Sequence, residues 1–116
     1  MAFVLIYKLV GAQEWRDARA AGEFAGSAVD LADGYVHFST AEQVVETAAR
    51  HFAGQRGIVV VTVDTARLGD DLRWEPSRGG APFPHLYGRL PLTAVVAETA
   101  LPADTPVDVA VAAVLA

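Results

Sequence analysis

The chain has no cysteine, which excludes disulfide bonds and thiolate chemistry and fits a cytoplasmic protein. No apolar run approaches the roughly 18 residues that a membrane-spanning helix needs, and the first residues lack the basic region of a signal peptide. Basic residues are also few, with 9 Lys and Arg against 14 Asp and Glu and a net charge of −5. We therefore expect neither a membrane partner nor an extensive nucleic-acid surface, although a small nucleotide pocket remains compatible with this charge.

The 116 residues are 53% hydrophobic and 20% charged, which predicts one folded domain with a single modest core. Two segments show helical periodicity: 13–21, with Trp15 and Ala18 on one face, and the segment after Ser39, whose apolar stripe ends near Gly54. Apolar or extended runs predict the strands 3–10, 35–38, 58–63, 72–75 and 92–98. Glycines and polar residues predict a loop over 22–34, and the alanine-rich tail leans helical. This pattern predicts a compact α+β fold with two main helices.

The first candidate site surrounds His37, which ends a short strand directly before a predicted helix start. Ser39 and Glu42 have the spacing of a capping box, so His37 and Ser39 are expected beside free helix amides that favour an anion. His37 is equally compatible with a structural role, in which its ring nitrogens bond nearby backbone. Asp33 is expected to form an Asp-Gly turn with Gly34.

The second candidate site is the segment from Trp74 to Gly88. Glu75 follows a tryptophan, where it could be a general base with a raised pKa, an acceptor for a ribose hydroxyl, or a structural partner of an arginine. Arg78 begins an Arg-Gly-Gly turn that either contacts phosphate or is a flexible loop. His85 and Tyr87 point to one side of a proline-stiffened extended segment, where they either line a pocket or pack on the core.

A metal site built from His37, His85 and Glu75 is a further alternative, since two histidines and one carboxylate are a known ligand set. Their wide spacing in sequence makes this a geometric hypothesis, and our preferred interpretation contains no metal. The sequence has no nucleophile elbow, P-loop or dinucleotide fingerprint.

Several of these residues together carry a resemblance to a known family. The residues are Ile6-Tyr7-Lys8, Trp15, the run Asp33 to Thr40 with Gln43, the Trp74-Glu75 pair and the segment Phe83 to Gly88. In this combination the chain resembles the bacterial family called domain of unknown function 952. The resemblance covers residues 4 to about 98, which leaves 99–116 as a C-terminal extension of the single domain 1–116.

The chain is also similar, more distantly, to the ADP-ribosyltransferase superfamily and its RNA 2′-phosphotransferase branch. The segment Val36 to Ser39 resembles the histidine motif on the second strand of that branch, and Lys8 stands where a first-strand histidine would be. This resemblance implies two small, mainly antiparallel sheets around a nicotinamide-nucleotide cleft and a transferase that uses NAD.

The resemblance and the residues together assign the candidate roles. The expected catalytic residues are His37, Glu75 and His85, and the expected cofactor-binding residues are Lys8, His37, Ser39, Thr40, Arg78 and Tyr87. The alternative is a non-catalytic binder of a small anionic ligand that uses the same cleft. The sequence does not fix the oligomeric state, and we expect a monomer.

Overall fold

The order of the elements follows the alternation of short strands and helices in the sequence. The computed structural model describes residues 4–116, apart from the side chain of Arg78. The described elements are β1 (Leu5–Gly11), α1 (Ala12–Ala21), β2 (Glu23–Phe24), α2 (Ala28–Asp33), β3 (Val36–His37), α3 (Ala41–His51), β4 (Ile58–Asp64), β5 (Leu72–Pro76), β6 (Pro82–Leu86), β7 (Leu90–Pro91), β8 (Val95–Ala100) and α4 (Val107–Leu115). Short 3₁₀ turns lie at Thr65–Arg67, Arg78–Gly80 and Leu92–Ala94.

The strands form three antiparallel sheets within the described residues. They have the orders β1-β4-β8, β3-β6-β5 and β2-β7. Each pairing that the structure describes is antiparallel. The expected α+β class with small antiparallel sheets is therefore confirmed. The predicted number of two sheets is wrong, because β2 and β7 pair as a third sheet in segments with weak strand patterns.

The central strand β4 separates two apolar clusters. Its residues Ile58 to Val63 are all buried, as the unbroken apolar run predicts for a strand covered on both faces. Val59, Val61 and Val63 face one cluster with Trp15 and the β3–β6 sheet. Ile58 and Val60 face the other cluster, which α3 and α4 cover. Alternate side chains of one strand thus supply both cores.

The helices α2 and α4 occur in addition to the two main helices that the sequence predicts. The segment 22–34 is not the predicted loop, because it contains β2 and the six-residue helix α2. The helix α2 starts with a capping box of Ser27 and Asp30 and ends at Gly34, whose φ of 90° is left-handed. The helical tendency of the tail is confirmed as α4. None of the described helices is long and apolar enough to span a membrane.

Candidate functional site

A cleft of about 800 Å³ opens where β1 separates from the β3-β6-β5 sheet. A single bridge joins β1 to the end of β3. The amide of Tyr7 donates to the carbonyl of Ser39 (2.8 Å), and the amide of Ser39 donates to the carbonyl of Tyr7 (2.9 Å). Beyond this bridge the two chain segments diverge. The described residues that line the cleft include Tyr7 to Gly11, Glu14, Ser27 to Val29, Asp33, His37 to Ser39, Thr47, His51, Gln55, Phe83 and His85.

His37 and His85 lie side by side on one wall of this cleft. They are direct partners in the antiparallel pairing of β3 with β6, and their ring centroids are 5.6 Å apart. The ring of Tyr35 packs against both, at 4.6 Å from His37 and 4.1 Å from His85. Ser39 lines the same cleft. The two stretches singled out in the sequence therefore meet at one site, as expected.

A buried carboxylate, Asp30, fixes one of these imidazoles. Its Oδ1 lies 2.6 Å from Nδ1 of His37 and accepts the backbone amide of His37 at 3.1 Å. The ammonium of Lys8 lies 2.9 Å from Oδ2, and the side chains of Lys8 and Asp30 are 6% and 1% exposed. The amide of Ser27 also donates to Oδ2. Asp30 is thus the acceptor that holds β1, α2 and β3 together.

The charges of this cluster alter two pKa values. Burial acts to raise the pKa of Asp30, but the hydrogen bond from His37 and the charge of Lys8 outweigh it and hold this pKa at about 2. Burial lowers the pKa of Lys8, and its attraction to Asp30 offsets part of that effect. Lys8 is consequently committed to an internal ion pair, although it stands in the expected cofactor-binding set and its residue lines the cleft.

The second ring nitrogen of His37 also meets a carboxylate. Nε2 lies 2.9 Å from Oδ2 of Asp33, whose side chain is exposed. A carboxylate oxygen is an acceptor only, so both contacts are hydrogen bonds when the imidazole carries a proton on each nitrogen. His37 therefore lies between two acids, with a carboxylate beside each ring nitrogen.

The carboxylate of Glu75 contacts the other imidazole, that of His85. Its Oε1 lies 2.8 Å from Nδ1 of His85 and accepts the hydroxyl of Tyr87 at 2.7 Å. These two hydrogen bonds lower the pKa of Glu75, so the alternative of a general base with a raised pKa is wrong. The reason is that partners, rather than apolar burial, surround this partly exposed carboxylate.

The position of Glu75 also separates it from the cleft. Glu75 and Tyr87 are absent from the described lining, because they lie on the side of the His85 ring where Nδ1 points. The guanidinium of Arg73 stacks over the ring of Tyr87 at 4.7 Å. Glu75 therefore contacts the cleft only through His85.

The helix start after His37 differs from the expected one. Thr40, not Ser39, is the cap of α3, and Gln43, not Glu42, completes the capping box, with the amide of Thr40 donating to Oε1 of Gln43 at 3.1 Å. The hydroxyl of Ser39 instead pairs with that of Thr47 at 2.9 Å, because the bridge to Tyr7 keeps Ser39 in extended pairing.

This one-residue shift moves the helix start out of the site. Thr40 and the first turn of α3 do not line the cleft, whereas the later residues Thr47, His51 and Gln55 do. The expected anion site at free helix amides is thus not part of the cleft. The side chain of Arg78 lies outside the described part of the chain.

Sequence reasoning missed the main-chain component of the cleft. Five consecutive residues, Tyr7 to Gly11, line it, which requires that the strand edge itself faces the cavity because side chains alternate. The amide and carbonyl of Tyr7 point away from β4 towards Ser39. By the same alternation, those of Leu9 also point away from β4, and no described residue pairs with them.

The metal alternative finds no support in the described residues, which form no group of three His, Asp or Glu side chains able to hold an ion. Glu75 and His37 lie on different sides of His85, since Glu75 bonds Nδ1 away from the cleft. The three side chains therefore do not converge on one point.

Comparison with known proteins identifies relatives of this arrangement. No curated protein matches the chain. The crystal structure of protein CC0527 from Caulobacter crescentus is similar with a TM-score of 0.84 and 50% sequence identity, covering 88% of this chain and 92% of that chain. Its solution NMR structure is similar with a TM-score of 0.76 and 51% identity, over 89% and 90% of the two chains. Residues 9–98 match the family described as protein of unknown function (DUF952), and the chain belongs to this family.

Proposed function

We propose that the cleft binds the nicotinamide end of NAD and that the chain is a nucleotide-handling enzyme of ADP-ribosyl-transfer type. The observation that carries this proposal is the open edge of β1 at Leu9, which lines the cleft without a described backbone partner. A carboxamide offers one acceptor and two donors in a plane. It therefore complements the amide and carbonyl of a single strand residue.

The charges that line the cleft support a cationic ring as the ligand. Glu14 and Asp33 line it, and Asp30 compensates the charge of Lys8. The pyridinium of NAD is positive and suits these carboxylates, whereas its phosphates are better placed at the open end. A cavity of about 800 Å³ also falls in the size range of small-molecule sites.

The chemistry follows from the same carboxylates. When the bond between the ribose C1′ and the pyridinium nitrogen lengthens, positive charge moves from the ring to the sugar. Fixed negative groups beside the sugar stabilise such a transition state because they need no reorganisation. Asp33 and Glu14 are the described carboxylates that line the cleft, so they are the groups available for this stabilisation.

A non-catalytic binder is the second candidate, favoured by the position of Glu75. The expected catalytic carboxylate is absent from the cleft lining and is hydrogen-bonded by His85 and Tyr87. A protein that holds its ligand without turnover does not need a carboxylate at that position. Release of free nicotinamide from bound NAD distinguishes the two candidates.

Calorimetric titration with NAD, ADP-ribose and nicotinamide tests the proposal. We expect NAD to bind with micromolar to millimolar affinity, roughly 4–8 kcal/mol, and nicotinamide to compete with it. Asp33→Asn should weaken NAD more than ADP-ribose, because only NAD carries the pyridinium charge. Asp17→Asn on the exposed face of α1 is the matched control. Absence of heat with NAD and nicotinamide at several millimolar would reject the proposal.

A further inference from the structure

His85 is a buried side chain that has one bound and one unbound ring nitrogen among the described contacts. The residue is 4% exposed, and Nδ1 lies 2.8 Å from Glu75. No described group hydrogen-bonds Nε2, and His85 lines the cleft that Glu75 does not reach. A buried polar atom without a protein partner normally has a ligand or water as its partner.

The partners of Glu75 determine which nitrogen of His85 carries the proton. The hydroxyl of Tyr87 and Nδ1 of His85 both lie against Oε1 of Glu75, and these hydrogen bonds favour the ionised carboxylate. An ionised carboxylate accepts but does not donate. Nδ1 of His85 must therefore be the donor, and the neutral ring keeps its lone pair on Nε2.

The other histidines lack this combination. Both ring nitrogens of His37 lie against carboxylates, Asp30 and Asp33, so each already has a protein partner. His51 lines the cleft from α3, but no carboxylate fixes its ring among the described contacts. Of the three histidines in the sequence, His85 alone has a fixed ring and a lone pair available to the cleft.

We infer that His85 is the general base of the site and takes a proton from water or a ligand hydroxyl bound in the cleft. This inference rests on the proposed function for the identity of the electrophile. Nε2 takes the proton from the oxygen, and the oxygen bonds to C1′ of the ribose. The bond between C1′ and the pyridinium nitrogen breaks, and its electron pair returns to the ring. With water, NAD gives ADP-ribose and nicotinamide, and His85 releases the proton to solvent.

Glu75 and Tyr87 are positioning residues in this scheme, because neither lines the cleft. Glu75 holds the His85 ring in the tautomer with the proton on Nδ1, and Tyr87 holds Glu75. Tyr35 packs on the His85 ring and restricts its rotation.

The first experiment requires no ligand. Long-range ¹H–¹⁵N NMR of the wild type resolves the ring nitrogens of three histidines, and we expect His85 to carry its proton on Nδ1 at neutral pH. Glu75→Ala should shift His85 towards the other tautomer, and Glu42→Ala on the exposed face of α3 is the matched control. A proton on Nε2 of His85 in the wild type would overturn the inference.

The second experiment measures release of nicotinamide from saturating NAD against pH, beside NAD affinity from calorimetry. His85→Gln should retain NAD affinity and lower the release rate by about 100-fold or more, with loss of the rise in rate as pH increases. Glu42→Ala, which replaces an exposed residue of α3 that does not line the cleft, should change neither. Release by His85→Gln at the wild-type rate would overturn the inference, whereas a wild type that shows the expected tautomer but binds no NAD would support the base and reject the proposed function.

Discussion

At the scale of single residues, Asp30 is a buried carboxylate whose charge is compensated inside the protein. It is 2% exposed and neutralises Lys8, which is buried as well. Asp30→Asn leaves the ammonium of Lys8 buried without its counter-charge, so we expect a loss of about 3–5 kcal/mol in the free energy of unfolding. Chemical denaturation measures this loss.

The matched control for this change is Asp33→Asn. Asp33 also contacts His37, but its side chain is 45% exposed, and exposed ion pairs contribute about 1 kcal/mol or less. Equal losses in the two variants would contradict the role of Asp30 as the counter-charge of Lys8.

The pKa of Asp30 predicts the response of the protein to acid. In the folded state it lies at about 2, below its ordinary value of 3.8. A lowered carboxyl pKa stabilises the folded state above the unfolded pKa, and this contribution disappears as pH falls through the folded value. We expect a loss of about 2 kcal/mol between pH 5 and pH 2, and the lowered pKa of Glu75 acts in the same direction.

Denaturant midpoints of the wild type and Asp30→Asn over this pH range provide the measurement. The variant should show a shallower loss because it lacks the titrating group. Parallel curves for the two proteins would assign the acid sensitivity to other carboxylates.

Local sequence patterns predicted part of the site, and the missing part depends on distant pairing. His37 stands out because it ends a predicted strand directly before a helix, and His85 stands out because prolines stiffen the segment that holds it beside Tyr87. Asp30 lies in the segment 22–34 that the sequence predicts as a loop. Its partner Lys8 is 22 positions away and looks like an ordinary polar residue of a strand, so no local pattern joins the two. The open edge at Leu9 has no sequence signal, because it results from the divergence of two sheets.

At the scale of elements, the start of α3 gives a test of the corrected cap. Thr40→Ala removes the cap side chain of α3, so we expect a loss of about 1 kcal/mol in the free energy of unfolding. Thr40→Ser retains a hydroxyl and should restore most of the stability. Chemical denaturation checks both variants. If Glu42→Ala instead of Thr40→Ala lost this stability, the capping box would be Ser39 and Glu42, as the sequence predicts.

The same elements show why periodicity predicts some segments and not others. The stripe of α3 and the apolar run of β4 each extend over several repeats, so each pattern identifies its element without knowledge of the rest. The helix α2 has only six residues, and its Val29 and Leu31 are exposed. Its apolar residues therefore do not mark the buried face, and its stabilising contact is made by Asp30.

At the scale of the whole molecule, α4 completes the second core although it lies beyond the residues 9–98 that match the family. Val111 is buried against the cluster of α3 and β4, whereas Val109 on the same helix is 54% exposed. Val111→Ala should lower the free energy of unfolding by about 2 kcal/mol, and Val109→Ala should change it by less than about 0.5 kcal/mol.

Thermal and denaturant unfolding of the two alanine variants measure the difference. Equal stability of the two variants would indicate that α4 does not contribute to the core. Loss in Val111→Ala alone would place the C-terminal extension within the folding unit of the domain.

The shared carboxylate also constrains how the sequence can vary among relatives. Lys8, Asp30 and His37 lie on three different elements. Lys8 and His37 both bind the carboxylate of Asp30. Replacement of any one of these residues leaves a buried charge or an unfilled hydrogen-bonding position. A protein in which only one of them has changed is therefore destabilised. Across the family we therefore expect the lysine and the aspartate to be retained or lost as a pair, which comparison of many members can establish.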